Sequence, residues 1–231
     1  PVSIIKSTLK FSILIPCYQQ AQYLDEAIQS ALAQTEPCEV IVINDGSPDN
    51  TKEVAEKYLP KIKLINQVNK GLASARNAGI MNATGDFVLP LDADDILDPN
   101  CVSELLFHAT LTEADVVAPS IREFGLSSGV TILDSDITID KMRLGNHLGY
   151  FSLIRKSALL ECGGYSPRMD TGYEDYHLWI NILMLGKKFA TLQMPLVYYR
   201  TKANSMWHEA KKDHARLMGQ IYKDFPTFLP A

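Results

Sequence analysis

Between Gly85 and Asp95 an apolar run, Phe87 to Leu91, ends abruptly in the carboxylates of Asp92, Asp94 and Asp95. Acidic groups gathered at the end of a buried strand carry a desolvation cost, and a cation is what offsets it. Oxygen-only ligands select a hard divalent ion, Mg²⁺ or Mn²⁺, of the kind that bridges carboxylates to the phosphates of a substrate. An acidic turn ahead of a helix is the plainer alternative. Asp98 followed by Pro99 reads as an N-cap with proline at the first helical position. That cap uses Asp98 and leaves Asp92, Asp94 and Asp95 without a purpose. A second acidic pair, Glu174-Asp175, stands at the start of an amphipathic stretch carrying Leu178, Ile182 and Leu185. Acids at a helix N-terminus are stabilised by the dipole and the free amides, so capping alone is one explanation for this pair.

The elements that must position these groups are legible in the first hundred residues, where short β-branched runs alternate with helical periodicity. This pattern predicts βα units around a largely parallel sheet. Strands are expected at 11–15, 40–43, 62–65 and 87–91, each nearly continuous in apolar residues because helices cover both faces. Leu24, Ile28 and Leu32 share one face of a first helix, Val54 and Tyr58 lie on a second, and Leu72, Ala75 and Gly79 on a third. Asn50 followed by Glu53 resembles a capping box at the second helix. Sheets of this class place ligands at the carboxyl ends of their strands. The loops that matter are therefore Pro16 to Gln19, Asn44 to Ser47 and Asp92 to Asp95. Neither a dinucleotide fingerprint nor a Walker loop follows any of the strands.

The second half is less regular. Strands are expected at 115–118 and 150–154, a loop at 127–129, a turn at 163–165, a strand over 189–199 interrupted at Pro195, and a C-terminal helix over 209–222. Length (231 residues), 46% hydrophobic content and 21% charged residues fit one large or two small globular domains. A net charge of -5 argues against nucleic acid as the main partner. Cys17, Cys38, Cys101 and Cys162 show no metal-binding or disulfide-scaffold spacing, which predicts a reduced, cytoplasmic setting. A peripheral place at the inner face of a membrane is the alternative, and no apolar run is long enough to span one. A start at Pro1 rather than methionine leads us to expect further domains of a longer protein.

Taken in order, these segments resemble the inverting nucleotide-sugar glycosyltransferases of the GT-A fold, family two. The resemblance runs from about residue 11 to residue 200. It is carried by Ile15 to Tyr18, Asn44 to Asp49, Asn69 to Gly79, Leu91 to Asp95, Gly163-Gly164-Tyr165 and Glu174-Asp175. It implies an α/β GT-A domain over 1–231, Rossmann-like, with a mostly parallel central sheet flanked by helices. Residues of about 10–100 would form the nucleotide-sugar half and about 101–231 the acceptor half. Pro16 and Tyr18 would line the base, and Asp45 would accept a hydrogen bond from it, as an ionised carboxylate can accept from N3 of uracil. A tight turn in which Asp45 bonds its own backbone is the alternative.

The resemblance also gives Arg76 a place near the nucleotide, with a planar guanidinium suited to a carboxylate or phosphate; an exposed helix arginine is the plainer reading. Asp92 becomes the ribose- or metal-proximal member of a D-x-D motif and Asp94 the direct ligand of Mn²⁺ or Mg²⁺. Asp95 would orient a neighbour or hold metal-bound water, and His208 and His177 are candidate further ligands. Asp175 would be the general base toward an acceptor hydroxyl, with Glu174 orienting the acceptor or raising the pKa of the base. Trp179 would line a sugar platform or, more simply at its spacing, pack in the core. The implied donor is a UDP-sugar, and the acceptor a glycan, a lipid-linked group or a protein. Rival functions are a non-catalytic binding module of the same fold and transfer to a polyprenyl phosphate at a membrane. A metal-dependent phosphatase or nucleotidyltransferase would leave Glu174-Asp175 and the Arg76 segment unexplained. Cys17 and Asn44 depart from the family pattern.

Overall fold

The computed structural model describes residues 9–134, 136–203 and 210–229. Strands β1 (Phe11–Cys17), β2 (Glu39–Asp45), β3 (Lys63–Gln67) and β4 (Phe87–Pro90) alternate with helices α1 (Ala21–Leu32), α2 (Thr51–Glu56) and α3 (Leu72–Asn82). β1 lies between β2 and β4, and β2 carries β3 on its outer side, all in parallel. Every residue of β1 and β4 is buried, as expected of strands covered on both faces. Ile13 and Ile15 face a core shared with Leu24 and Ile28 of α1, whereas Leu14 faces one shared with Ala75 and Ile80 of α3. The alternation of the strand thus feeds two hydrophobic layers.

α3 sits close to the sheet because its inner face is small. A Cβ on Gly79 would come within 2.9 Å of Leu14 Cδ1 and 3.0 Å of Ile43 Cδ1. This close approach fixes the height of Arg76, one turn earlier on the same helix.

The chain continues through β5 (Ile96–Leu97), α4 (Cys101–Thr112), β6 (Val116–Gly125), β7 (Gly129–Thr131), α5 (Ile139–Leu144), β8 (Leu153–Arg155), α6 (Lys156–Glu161), α7 (Glu174–Met184), β9 (Phe189–Thr201) and α8 (His214–Asp224). The sheet runs in the order β3-β2-β1-β4-β8-β6-β9-β5, with β7 paired to β6. β8 joins β4 and β6 antiparallel, β9 runs parallel to β6, and β5 is antiparallel to β9. The expected α/β architecture is present, and each antiparallel pairing among the described residues includes a strand that follows residue 100. Among the described residues no helix is long and apolar enough to cross a membrane.

Several local expectations are corrected. The strand at 87–91 ends at Pro90, and that at 150–154 begins only at Leu153. No capping box forms at α2, where Asn50 makes no side-chain cap. Asp49 does the work instead, accepting the N–H of Thr51 at 3.1 Å and that of Ala21 at 3.0 Å, so it ties the starts of α1 and α2 together. Asp98 does not cap α4, whose N-cap is Asn100; its carboxylate accepts the Asn100 N–H in the preceding turn. β9 passes straight through Pro195, because register shifts on either side of Ser120 in β6 absorb the missing donor. The start expected for the C-terminal helix at 209 lies outside the described residues.

Candidate active site

Arg76 ties the acidic segments of the site together, although it does not itself line the cavity. Its guanidinium is fully buried, its Nη2 donates to Asp92 Oδ1 at 2.7 Å and its Nη1 to Glu174 Oε1 at 2.7 Å. Tyr150 and Tyr165 flank the guanidinium carbon, with ring centroids at 4.9 and 5.2 Å. One fork therefore joins the acidic loop after β4 to the first residue of α7. The reading of Arg76 as an exposed helix arginine is excluded. Tyr165 is set in place by Asn77, the next residue of α3, which accepts the Tyr165 N–H at 2.9 Å and donates to its carbonyl at 2.8 Å. Gly164 makes room for that clamp: at φ +75°, a Cβ there would stand 2.5 Å from Asn77 Oδ1.

The three carboxylates after β4 have different surroundings. Asp92 is partly exposed and takes Arg76, yet burial pushes its pKa up to about 6 against the pull of the guanidinium. Asp94 forms an ion pair with Lys202 and is 14% exposed. Asp95 is buried, accepting the Arg200 N–H at 2.6 Å and the hydroxyl of Tyr150. Burial drives its pKa well above the usual carboxylate range, with Asp94 adding to the rise. Asp95 thus holds β9 and Tyr150 to the loop, and the open donors are Asp92 and Asp94.

Glu174 and Asp175 begin α7 after Tyr173, whose backbone is left-handed at φ 62°. Glu174 turns inward to Arg76. Asp175 turns to the cleft, where the Asn146 side chain donates to its Oδ2 at 3.1 Å and the Tyr176 N–H to its Oδ1 at 2.7 Å. Burial raises the pKa of Asp175, and the neighbouring Glu174 raises it further, against the lowering effect of Arg76 and these two hydrogen bonds.

Asp92, Asp94, Asp95, Glu174 and Asp175 line one cavity of about 660 Å³, together with Tyr173, His214 and Tyr222. Pro16, Tyr18 and Asp45 are not in that lining; they stand at the carboxyl ends of β1 and β2. Tyr18 is exposed. Asp45 is buried and accepts from Gln67 Nε2 at 2.7 Å and the amides of Lys70 and Gly71 at 3.0 and 2.9 Å. The turn bond expected of Asp45 belongs to its neighbour: Asn44 Oδ1 accepts the Ser47 N–H at 3.0 Å. Trp179 is in the core, and His177 is buried against Asp224 at 3.0 Å and Phe225, away from the carboxylates. His177 does not line the cavity with Asp92 and Asp94, and His208 lies outside the described residues.

Sequence reasoning missed Tyr150, Asn146, Arg200 and Lys202. The usable signal was the pair Arg200 and Lys202 at the carboxyl end of a strand, where ligands of such sheets collect. Nothing local marks Tyr150 or Asn146. Among the described residues no group of three or more His, Cys, Asp or Glu is arranged to hold a metal ion. Asp92 and Asp94 offer carboxylate oxygen to the cavity, the donor type that hard divalent ions take.

The model of the family described as glycosyl transferase family 2 matches residues 12–176. An uncharacterized glycosyltransferase of Rickettsia felis is 35% identical over 190 residues, covering 76% of this chain and 31% of the relative. The chondroitin synthase of Pasteurella multocida is 42% identical over 184 residues, covering 76% of this chain and 19% of the relative. The matched segment is thus a third or less of these relatives' length. Among solved structures, S. aureus TarS 1–349 in complex with UDP-GlcNAc superposes with a TM-score of 0.79 at 21% identity, over 92% of this chain and 65% of that one. A mannosyltransferase from Pyrobaculum calidifontis in complex with GDP-Man and Mn²⁺ gives 0.74 at 17% identity, over 98% and 66%.

Proposed function

The chain belongs to glycosyl transferase family 2, and from that premise we propose that it moves a sugar from a nucleoside diphosphate donor, a UDP-sugar first, to an acceptor hydroxyl with inversion. One observation carries the reading: the acidic loop after β4 and the acidic start of α7 line a single cavity and are tied by the Arg76 fork. The neighbours crystallised with UDP-GlcNAc and with GDP-Man and Mn²⁺ support a nucleotide-sugar donor and a divalent ion.

In this reading Pro16 and exposed Tyr18 flank the base, and Asp45, which already organises the Lys70-Gly71 backbone, accepts from it. Asp94, with Asp92, would hold Mn²⁺ or Mg²⁺. Such an ion, when bound, supplies neutralisation of the diphosphate as its bond to the sugar breaks. Asp175 takes the proton of the acceptor hydroxyl as that oxygen attacks the anomeric carbon from the side opposite the diphosphate. Its raised pKa makes it a stronger base than an ordinary aspartate. Asn146 donates its Nδ2 hydrogen to Oδ2 of Asp175 and so aims that carboxylate, and Glu174, engaged by Arg76, sets the entry angle of α7.

A thermal-shift panel of UDP, GDP, CDP and dTDP, each with Mn²⁺ and with EDTA, tests the donor site. A nucleotide at a hundred times its Kd stabilises by about 2.7 kcal/mol, a shift of several degrees. A shift largest for UDP with Mn²⁺ is expected. A folded sample that responds to none of the nucleotides would refute the donor reading and favour a non-catalytic module.

A further inference from the structure

The cations around the cleft differ in how firmly they are held. Arg76 is clamped by two carboxylates. Arg143 is turned to Asp140 and to the carbonyls of Thr227 and Phe228. Arg200 is fixed by the carbonyl of Asp94 at 2.8 Å, by Glu26, and by the rings of Tyr23 and Phe124. Lys202, just past the end of β9, is placed otherwise. Its ammonium pairs with Asp94 Oδ2, donates to Gln20 Oε1 at 3.2 Å and lies 5.4 Å from the Tyr23 ring centroid. It lines the cavity, and its side chain is 22% exposed. The stem is flexible and the head is a point charge, the form in which lysine binds phosphate.

Asp94 is therefore already neutralised by a cation of the chain itself. Without a donor, Lys202 and a divalent ion are rivals for the same carboxylate. A diphosphate brings a larger negative charge within reach of the same ammonium, at a point where the carboxylates would otherwise repel it. We propose that Lys202 is a donor-binding residue whose ammonium, paired with Asp94, passes to the diphosphate when the nucleotide arrives. This rests on the donor reading above. It gives the site an affinity for nucleoside diphosphates that outlasts removal of the metal.

The test is isothermal titration of UDP and of uridine, each in Mn²⁺ and in EDTA, with the wild type, Lys202→Met and Lys202→Arg. Mn²⁺ alone is titrated in parallel, with free ion read by electron paramagnetic resonance. In EDTA the wild type should bind UDP more tightly than uridine. Lys202→Met should lose about tenfold of its UDP affinity in EDTA, the scale of one charge-assisted contact, and none of its uridine affinity. The same variant should bind Mn²⁺ more tightly, because Asp94 is released, and Lys202→Arg should keep the preference for UDP. Equal UDP affinity in wild type and Lys202→Met, or equal loss of UDP and uridine, overturns the role of Lys202 while leaving the donor site standing. A wild type that binds neither ligand, with or without Mn²⁺, overturns the donor reading and this inference with it.

Discussion

Asp175 combines a proposed chemical task with an energetic penalty. Its pKa is raised in the folded protein by burial and then by Glu174. The folded state therefore holds the proton after the unfolded chain has released it, and stability falls as pH climbs from the ordinary carboxylate range through the raised value. Above that value the whole penalty is present. Asp175→Asn should accordingly melt higher than the wild type at pH 8, with the difference shrinking toward pH 4; an unchanged gap across that range would show that the carboxylate is not penalised. The same substitution should abolish transfer and leave UDP binding intact, since the proposed donor contacts lie elsewhere. Near-normal turnover would remove Asp175 as the base. Arg76 presents the opposite case. Arg76→Met strands Asp92 and Glu174 without their shared cation, and breaking a buried pair in this way costs about 3–5 kcal/mol. The urea midpoint reports it, and a loss under about 1 kcal/mol would mean that water replaces the guanidinium.

Elements were readable wherever burial imposed a pattern. β1, β2 and β4 stood out because both faces are covered, whereas β3, at the sheet edge, has no fully buried residue; α3 was recognisable from its small residues. Gly79→Val should cost about 1–3 kcal/mol by overpacking Leu14 and Ile43, visible as a lower denaturant midpoint; an unchanged midpoint would mean that α3 can lift off the sheet freely. The elements that escaped notice, β5, β7, α5 and α6, are too short for a period to emerge. The caps were misassigned for a related reason, since Asp49 reaches from one helix start to another and no local motif encodes that. Site residues followed the same division. Acids next to each other in the chain were found; Lys202 and Tyr150 reach the acidic loop only through folding, across 108 and 55 positions to their partners. Asp45 belongs to this scale too, because it fastens the 67–71 loop to the end of β2. Asp45→Ala should raise hydrogen exchange at the Lys70 and Gly71 amides and flatten the preference among UDP, GDP and CDP; equal loss for all bases would assign it to the loop alone.

On the scale of the whole molecule, stability comes from two apolar layers pressed on one sheet, without covalent cross-links. The four cysteines are all free, with Cys17 and Cys101 buried. Burial raises both thiols above their usual range. Dithiothreitol should leave the Tm unchanged, and a thiol reagent should modify Cys17 and Cys101 only after denaturation; a Tm that falls on reduction would contradict the pairing state. Between the first hundred residues and the rest, the proposed chemistry depends on a bond that neither part makes alone. Arg76 is supplied from one side and Glu174 from the other, 98 positions apart. Recombination of acceptor segments between relatives is thereby given a rule. A hybrid of residues 10–100 with a foreign acceptor half should turn over only where the incoming helix starts with a carboxylate able to meet that arginine, and restoring such a residue to an inactive hybrid should recover activity without any change on the donor side.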